Sequence, residues 1–193
     1  MLNSMQAKPM YEGTVEEARA STRASLGMRD PDLAPDLPAV EDISVAGAAG
    51  DLPARVYRPV LEGRRPTIAY FHGGGFVVGD LDTIDLTCRN VAVLCDAVVV
   101  SVDYRLAPEH RAPAAAQDAI AAAIRIADHL DALGGSDVLG VAGDSAGGSC
   151  RPSWRKHSAT RAARWPGSSC STPSPTSPGS PITRRCPRTR TAT

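Results

Sequence analysis

The sequence DVLGVAGDSAGG, residues 137–148, decides the fold. Its apolar run, Val138 to Ala142, predicts a buried strand, and the pattern G-x-S-x-G follows that strand directly with Ser145 at its centre. Gly143 and Gly147 leave room for neighbouring backbone at a tight strand-to-helix turn. Such a turn strains the serine and aims the amides of the following helix at a developing anion. Because G-x-S-x-G also arises by chance, a functional prediction needs a second motif.

The sequence HGGGF, residues 72–76, supplies that second motif after another strand-like run, Thr67 to Phe71. Three glycines alone indicate only a flexible loop. After a strand and upstream of a nucleophile, they are typical of a loop whose backbone N–H groups bind an oxyanion. We expect Gly73, Gly74 and Ala146 to donate these N–H groups, because glycine lets the oxygen approach the loop closely.

Three motifs in this order, HGGG at 72–75, DYRLAPEH at 103–110 and GDSAGG at 143–148, resemble the hormone-sensitive-lipase-like (GDXG) esterase family. The resemblance covers about residues 40–148 well and the N-terminal arm loosely. It implies an α/β fold, here an incomplete α/β-hydrolase domain with a mainly parallel sheet and flanking helices. It also implies a carboxylic-ester hydrolase that acts on a small-molecule ester through an acyl-serine, with no metal and no other cofactor.

The other residues of the two glycine motifs are expected to support the site rather than react: His72, Gly75, Gly143, Asp144 and Gly147. His72 is a candidate base, but hydrolases of this fold place the acid and the histidine after the serine in the chain, so a structural role is favoured. Asp144 is adjacent to the nucleophile on a turn, where neighbouring side chains point apart, so we do not expect it to be the triad acid.

By resemblance, Asp103 and Arg105 tie their loop near the site, and Glu109 is either a similar tie or an exposed charge. Downstream of Ser145 the sequence offers one histidine, His157, and no acidic residue. An intervening helix would place His157 about 18 Å from the serine. We therefore expect a nucleophile without a base, little esterase activity, and poor solubility from an unpaired sheet edge.

Residues 150–193 have a different composition. All 21 acidic residues precede them, whereas the last 43 residues carry nine of the 21 basic ones, and 22 of those 43 are Ser, Thr or Pro. Such a segment cannot bury enough apolar surface to fold, so we predict a disordered tail that is read out of frame or is otherwise unrelated to the domain.

Two alternatives for the tail are a proline-rich linker and a basic arm. The arm would make the protein a non-catalytic binding protein, with a hydrolase-like core and an anionic partner. Scattered charges without interleaved aromatic residues argue against nucleic acid as that partner.

The N-terminal arm, residues 1–38, contains one predicted helix from Val15 to Leu26. Thr14 and Glu17 form a capping box at its start, and Gly27 ends it. By resemblance the arm is a cap over the active site; by composition it is a disordered tail with one helix, and the two interpretations are equally favoured. The predicted organisation is thus a cap arm (1–38), the N-terminal half of a hydrolase domain (39–149) and the tail (150–193).

Cysteine usage and hydropathy indicate the class of protein. An odd count of five cysteines and the lack of a secretion signal argue against a disulfide framework and favour the cytoplasm. Cys88 and Cys95 share a helical face and are expected to be buried. No Cys/His spacing is typical of a metal site. No apolar run approaches the roughly 18 residues of a transmembrane helix.

Further elements follow from periodicity and end signals. Strands are predicted at Val40 to Val45, Ala54 to Tyr57 and Ala97 to Val102, the last buried on both faces. A helix capped by Asp82 or Asp85 is predicted to run to Cys95. Another begins at Pro113 and is expected to bury a stripe that consists of Ile120, Ile124, Ala127 and Leu130.

Overall fold

The computed structural model describes residues 13–26 and 33–149. The predicted strands and helices are all present there, most of them a few residues longer than expected. Their bounds are α1 (Val15–Leu26), β1 (Ala39–Ala46), β2 (Asp51–Arg58), β3 (Arg65–Phe71), α2 (Leu81–Cys95), β4 (Val98–Val102), α3 (Ala114–Asp128) and β5 (Gly135–Gly143).

The five strands form one sheet in the order β1-β2-β4-β3-β5. The sheet is mixed: β1–β2 and β2–β4 are antiparallel, whereas β3–β4 and β3–β5 are parallel. The helices α2 and α3 are the crossovers between the parallel strands. Since Phe71 at the end of β3 pairs with Gly143 at the end of β5, both glycine motifs emerge side by side at one sheet edge.

The core fills both faces of this sheet. On one face the helix α3 packs against side chains that include Phe71, Val100 and Val102. On the other face α2 packs its Cys88 and Ala92 against a second cluster. All five residues of β4 are buried, as predicted for a strand covered on both sides.

The predicted buried stripe of α3 is wrong in part. Ile124 is 40% exposed, and the buried apolar positions are Ala114, Ala115, Ala119, Ala122, Ala123 and Ile126. Alanine carries a weak hydropathy signal, yet a row of alanines lets a helix approach a sheet closely. Ala127 and Leu130 do pack, partly buried, against the core.

The helix ends show one confirmed and one wrong cap. In the predicted capping box of α1, Thr14 N–H donates to Glu17 (2.9 Å) and Glu17 N–H donates to Thr14 Oγ1 (3.2 Å); Gly27 lies outside the described residues. The cap of α2 is Asp80, not Asp82 or Asp85, because Asp80 accepts from Thr83 N–H at 2.9 Å.

The prediction of two buried thiols on α2 holds for Cys88 and is wrong for Cys95. Both lie on nearly the same helical face. Cys95 is the last residue of α2, however, and solvent reaches it there.

Candidate active site

Ser145 sits at a strained turn between β5 and a helical segment that occupies residues 145–149. Its φ is +48°, in the left-handed region that non-glycine residues rarely adopt. The flanking glycines are required by the neighbouring strand. A Cβ on Gly143 would lie 2.5 Å from Phe71 O, and a Cβ on Gly147 would lie 1.9 Å from the same oxygen. Close packing of the elbow against the end of β3 therefore fixes this conformation.

The glycine loop after β3 makes an equally unusual turn. Gly74, Gly75 and Phe76 have φ values of +120°, +62° and +64°. The carbonyl oxygen of Gly74 accepts hydrogen bonds from the N–H groups of Val77 and Val78, each at 3.0 Å. A Cβ on Gly74 would lie 2.0 Å from Val78 O, so only glycine fits there.

Asp144 joins the elbow to this loop. Its Oδ1 accepts hydrogen bonds from Gly73 N–H at 2.9 Å and from the Tyr70 hydroxyl at 3.2 Å. Burial raises the pKa of Tyr70, and the Asp144 carboxylate raises it further. The side chain of Asp144 thus points toward the loop, where it supports the loop rather than orienting a base.

This contact bears on the expectation for Gly73. Its N–H was expected to bind an oxyanion, but it donates to Asp144 instead. The N–H groups of Gly74 and Gly75 have no hydrogen-bond acceptor within residues 13–26 and 33–149. Of the three loop glycines, the second and third are therefore the ones whose amides lack an acceptor among these residues.

His72 is enclosed below the loop. It is 1% exposed, and its ring stacks on Tyr104 with centroids 4.5 Å apart. Its Nδ1 lies 2.7 Å from Gly73 O, an acceptor, so Nδ1 carries the proton. The Tyr104 hydroxyl donates to His72 O at 2.6 Å. Nε2 is 3.8 Å from the carboxylate of Asp103. These contacts hold the loop, which favours the supporting role predicted for His72.

The segment after β4 is hydrogen-bonded to α3 through Asp118, which also binds Ala48 in the turn between β1 and β2. Arg105 donates to both oxygens of Asp118 in α3 at 2.7 and 2.9 Å, and Asp118 is fully buried. Asp118 also accepts from the N–H groups of Arg105 and Ala48 at 3.2 and 3.1 Å. Burial works against ionisation, but these hydrogen bonds, led by the Arg105 side chain, hold the pKa of Asp118 below its usual value.

Glu109, at the far end of the same segment, pairs with Arg19 of α1 at 2.7 and 2.8 Å. Glu109 therefore ties this segment to α1, and its side chain is also exposed, as the alternative had it. Sequence reasoning missed Arg19 and Asp118. A carboxylate within the alanine-rich run of α3 was the one available signal for Asp118.

Within residues 13–26 and 33–149, no side chain is hydrogen-bonded to the Ser145 hydroxyl. His157 and the predicted tail 150–193 lie outside the described residues.

Among the described residues, the structure contains no helix with the length and apolar composition of a membrane span.

Known proteins are similar to this chain in sequence. A family described by the alpha/beta hydrolase fold matches residues 68–151. Esterase LipI of Mycobacterium tuberculosis is 54% identical over 114 residues, which are 56% of this chain and 35% of that protein. Carboxylesterase NlhH of the same species is 45% identical over 136 residues, which are 69% of this chain and 42% of that protein.

Solved structures agree with the described fold. An esterase of Pyrobaculum calidifontis superposes with a TM-score of 0.69 at 46% identity, over 73% of this chain and 47% of its own. The chain thus spans less than half the length of these three relatives.

Proposed function

Because the chain belongs to the hormone-sensitive-lipase-like esterase family of α/β hydrolases, we propose that it carries the nucleophile and the oxyanion loop of a carboxylic-ester hydrolase. The observation that supports this most is the junction of the two motifs. Ser145 is held in a left-handed conformation, and the adjacent Asp144 binds the first glycine amide of the loop. The substrate class is a small carboxylic ester with a short or medium acyl chain.

In this reaction Ser145 Oγ attacks the ester carbonyl carbon while a base takes its proton. The alcohol leaves with a proton, and the acyl group remains bonded to Ser145. Water then attacks the acyl-serine, releases the carboxylic acid and restores the hydroxyl. Negative charge develops on the carbonyl oxygen in both halves, so each half needs hydrogen-bond donors at that oxygen.

We assign the donors to the N–H groups of Gly74, Gly75 and Ala146. The glycine amides have no other acceptor among the described residues, and Ala146 follows the nucleophile at the start of a helix, as donors of this fold do. Each donor typically contributes about 3 kcal/mol to transition-state stabilisation. Asp144, through Gly73, and His72, through Tyr104, hold the loop that presents them.

This mechanism also needs a base and an acid that orients the base. Sequence after Ser145 contains His157 and no acidic residue, and the described residues supply no partner for the serine hydroxyl. We therefore expect the 193-residue chain to bind and acylate slowly and to turn over little ester.

Active-site labelling tests this proposal. The chain is incubated with a fluorophosphonate, with and without imidazole as an added base, and the adduct is mapped by peptide mass spectrometry. We expect modification at Ser145, accelerated by imidazole and absent in Ser145→Ala. The matched control is Ser149→Ala, four residues along the same helical segment, which should label like the unmodified chain. No adduct on Ser145 under either condition would overturn the proposal.

A further inference from the structure

The loop that carries the proposed donors has a conformation that it cannot hold alone. Gly74, Gly75 and Phe76 are consecutive residues with positive φ, and Phe76 has a side chain that disfavours this region. Such a turn persists only where surrounding contacts determine it. On its N-terminal side the loop is held by Asp144 through Gly73.

On its C-terminal side the loop is held by α1. Arg19 Nε donates to Val77 O at 2.9 Å, and Val77 N–H in turn donates to Gly74 O at 3.0 Å. Arg19 therefore binds Val77, the residue that is itself hydrogen-bonded to Gly74, the first proposed donor residue. A cationic donor makes this bond stronger than a neutral one.

Arg19 also fixes the neighbouring segment in the same orientation. Its Nη2 donates to Ala107 O at 3.2 Å, and both Nη atoms pair with Glu109. Ala107 N–H donates to Phe76 O at 2.7 Å, so the segment after β4 supports the glycine loop directly. The side chain of Arg19 is only 27% exposed, which reduces the competition from water for these bonds.

We propose that Arg19 is a positioning residue for the oxyanion loop, which couples the docking of α1 to the placement of the Gly74 and Gly75 amides. Only the planar fork of arginine reaches two backbone carbonyls and a carboxylate at once. Its catalytic meaning rests on the function proposed above. The coupling itself does not, because it concerns loop order without substrate.

The test is hydrogen exchange of the backbone amides of residues 73–78, measured by NMR or mass spectrometry on the full chain without ligand. In Arg19→Ala we expect exchange of the hydrogen-bonded amides among them, those of Gly73, Val77 and Val78, to accelerate by about tenfold or more, since charge-assisted bonds are lost. Exchange in β4 and α3 should stay unchanged. Arg19→Lys keeps the charge but not the fork, and it should restore no more than part of the protection.

Arg23→Ala is the matched control on the same helix. Arg23 is 67% exposed and pairs with Asp80 at 2.8 Å, without touching the glycine loop. It should leave exchange at residues 73–78 unchanged. The proposal is overturned if Arg19→Ala leaves that exchange unchanged, if Arg23→Ala has the same effect, if Arg19→Lys restores full protection, or if Arg19→Ala loosens β4 and α3 equally. If Ser145 is not labelled but hydrogen exchange changes as expected, only the proposed function is overturned.

Discussion

The packing of the elbow predicts a large loss of stability on substitution of Gly147 and little change on substitution of the adjacent Gly148. In Gly147→Ala the new Cβ would lie 1.9 Å from Phe71 O, 2.5 Å from Phe71 C and 2.6 Å from His72 O. These are backbone atoms at the end of β3, which is hydrogen-bonded to strands on both sides. To reach even 3.0 Å, the shortest separation must grow by 1.1 Å (3.0 − 1.9).

Overpacking of this kind costs about 1–3 kcal/mol. We expect about 3 kcal/mol for Gly147→Ala, because no flexible side chain is available to move. For a domain of this size the loss corresponds to a fall in Tm of roughly 10 °C. The shift also displaces His72 and the loop after it, so labelling of Ser145 should be lost as well.

Gly148→Ala is the matched control. Its Cβ would meet Gly143 O at 3.2 Å and Gly143 C at 3.8 Å, with no closer atom. Alanine is favoured over glycine within a helix by up to about 1 kcal/mol. The small shift that Gly143 O must make at 3.2 Å offsets this gain, so the Tm from thermal unfolding by circular dichroism should stay within about 2 °C of that of the unmodified chain. A Gly147→Ala protein that melts within about 2 °C of the unmodified chain, or a Gly148→Ala protein that loses as much, would refute the proposed packing of the elbow.

Three further predictions concern the ties around the site. Arg105→Ala leaves the buried carboxylate of Asp118 in α3 without its cation and should clearly lower the free energy of unfolding measured in urea. Arg125→Ala, on the exposed face of α3, should change it by less than about 0.5 kcal/mol, and similar losses in the two variants would contradict this. The hydrogen bonds that Glu109 accepts from Arg19 are the main cause that lowers the pKa of Glu109 to about 2, and a backbone hydrogen bond is the second. The stabilisation that ionised Glu109 gives to the docking of α1 is therefore complete above about pH 4.5 and is lost as the pH falls through about 2. Amide exchange of α1 against pH should show that loss, and Glu109→Gln should remove it; an unchanged profile in the variant would speak against the pair. Ser145→Gly relieves the positive φ and should raise the free energy of unfolding by about 1 kcal/mol while abolishing labelling, and a gain of equal size in Ser145→Ala would show that strain is not the cause.

The strands and the two glycine motifs were predictable because their signals are local. The β-branched run that forms β4 has one reasonable interpretation, and two glycines that flank a serine after such a run leave few turns open. The resemblance added the order of the motifs, and the parallel pairing of Phe71 with Gly143 then brings them together.

The features that sequence reasoning missed depend on partners that are distant in the chain. Nothing near Arg19 indicates that its side chain reaches Val77, 58 residues away. The hydrogen bond of Gly73 N–H likewise goes to Asp144, which is 71 residues away. The buried face of α3 was misjudged because five of its six buried apolar residues are alanines, whose hydropathy signal is weak, and the sixth is Ile126.

A structure of the phosphonylated chain tests the central claim most directly. With a phosphonate on Ser145 Oγ, the phosphoryl oxygen stands where the carbonyl oxygen of an ester would develop its charge. We predict that this oxygen lies about 2.7–3.1 Å from the amide nitrogens of Gly74 and Gly75, with Gly73 still bound to Asp144. An oxygen that contacts neither glycine amide, or that draws Gly73 away from Asp144, would contradict the claim.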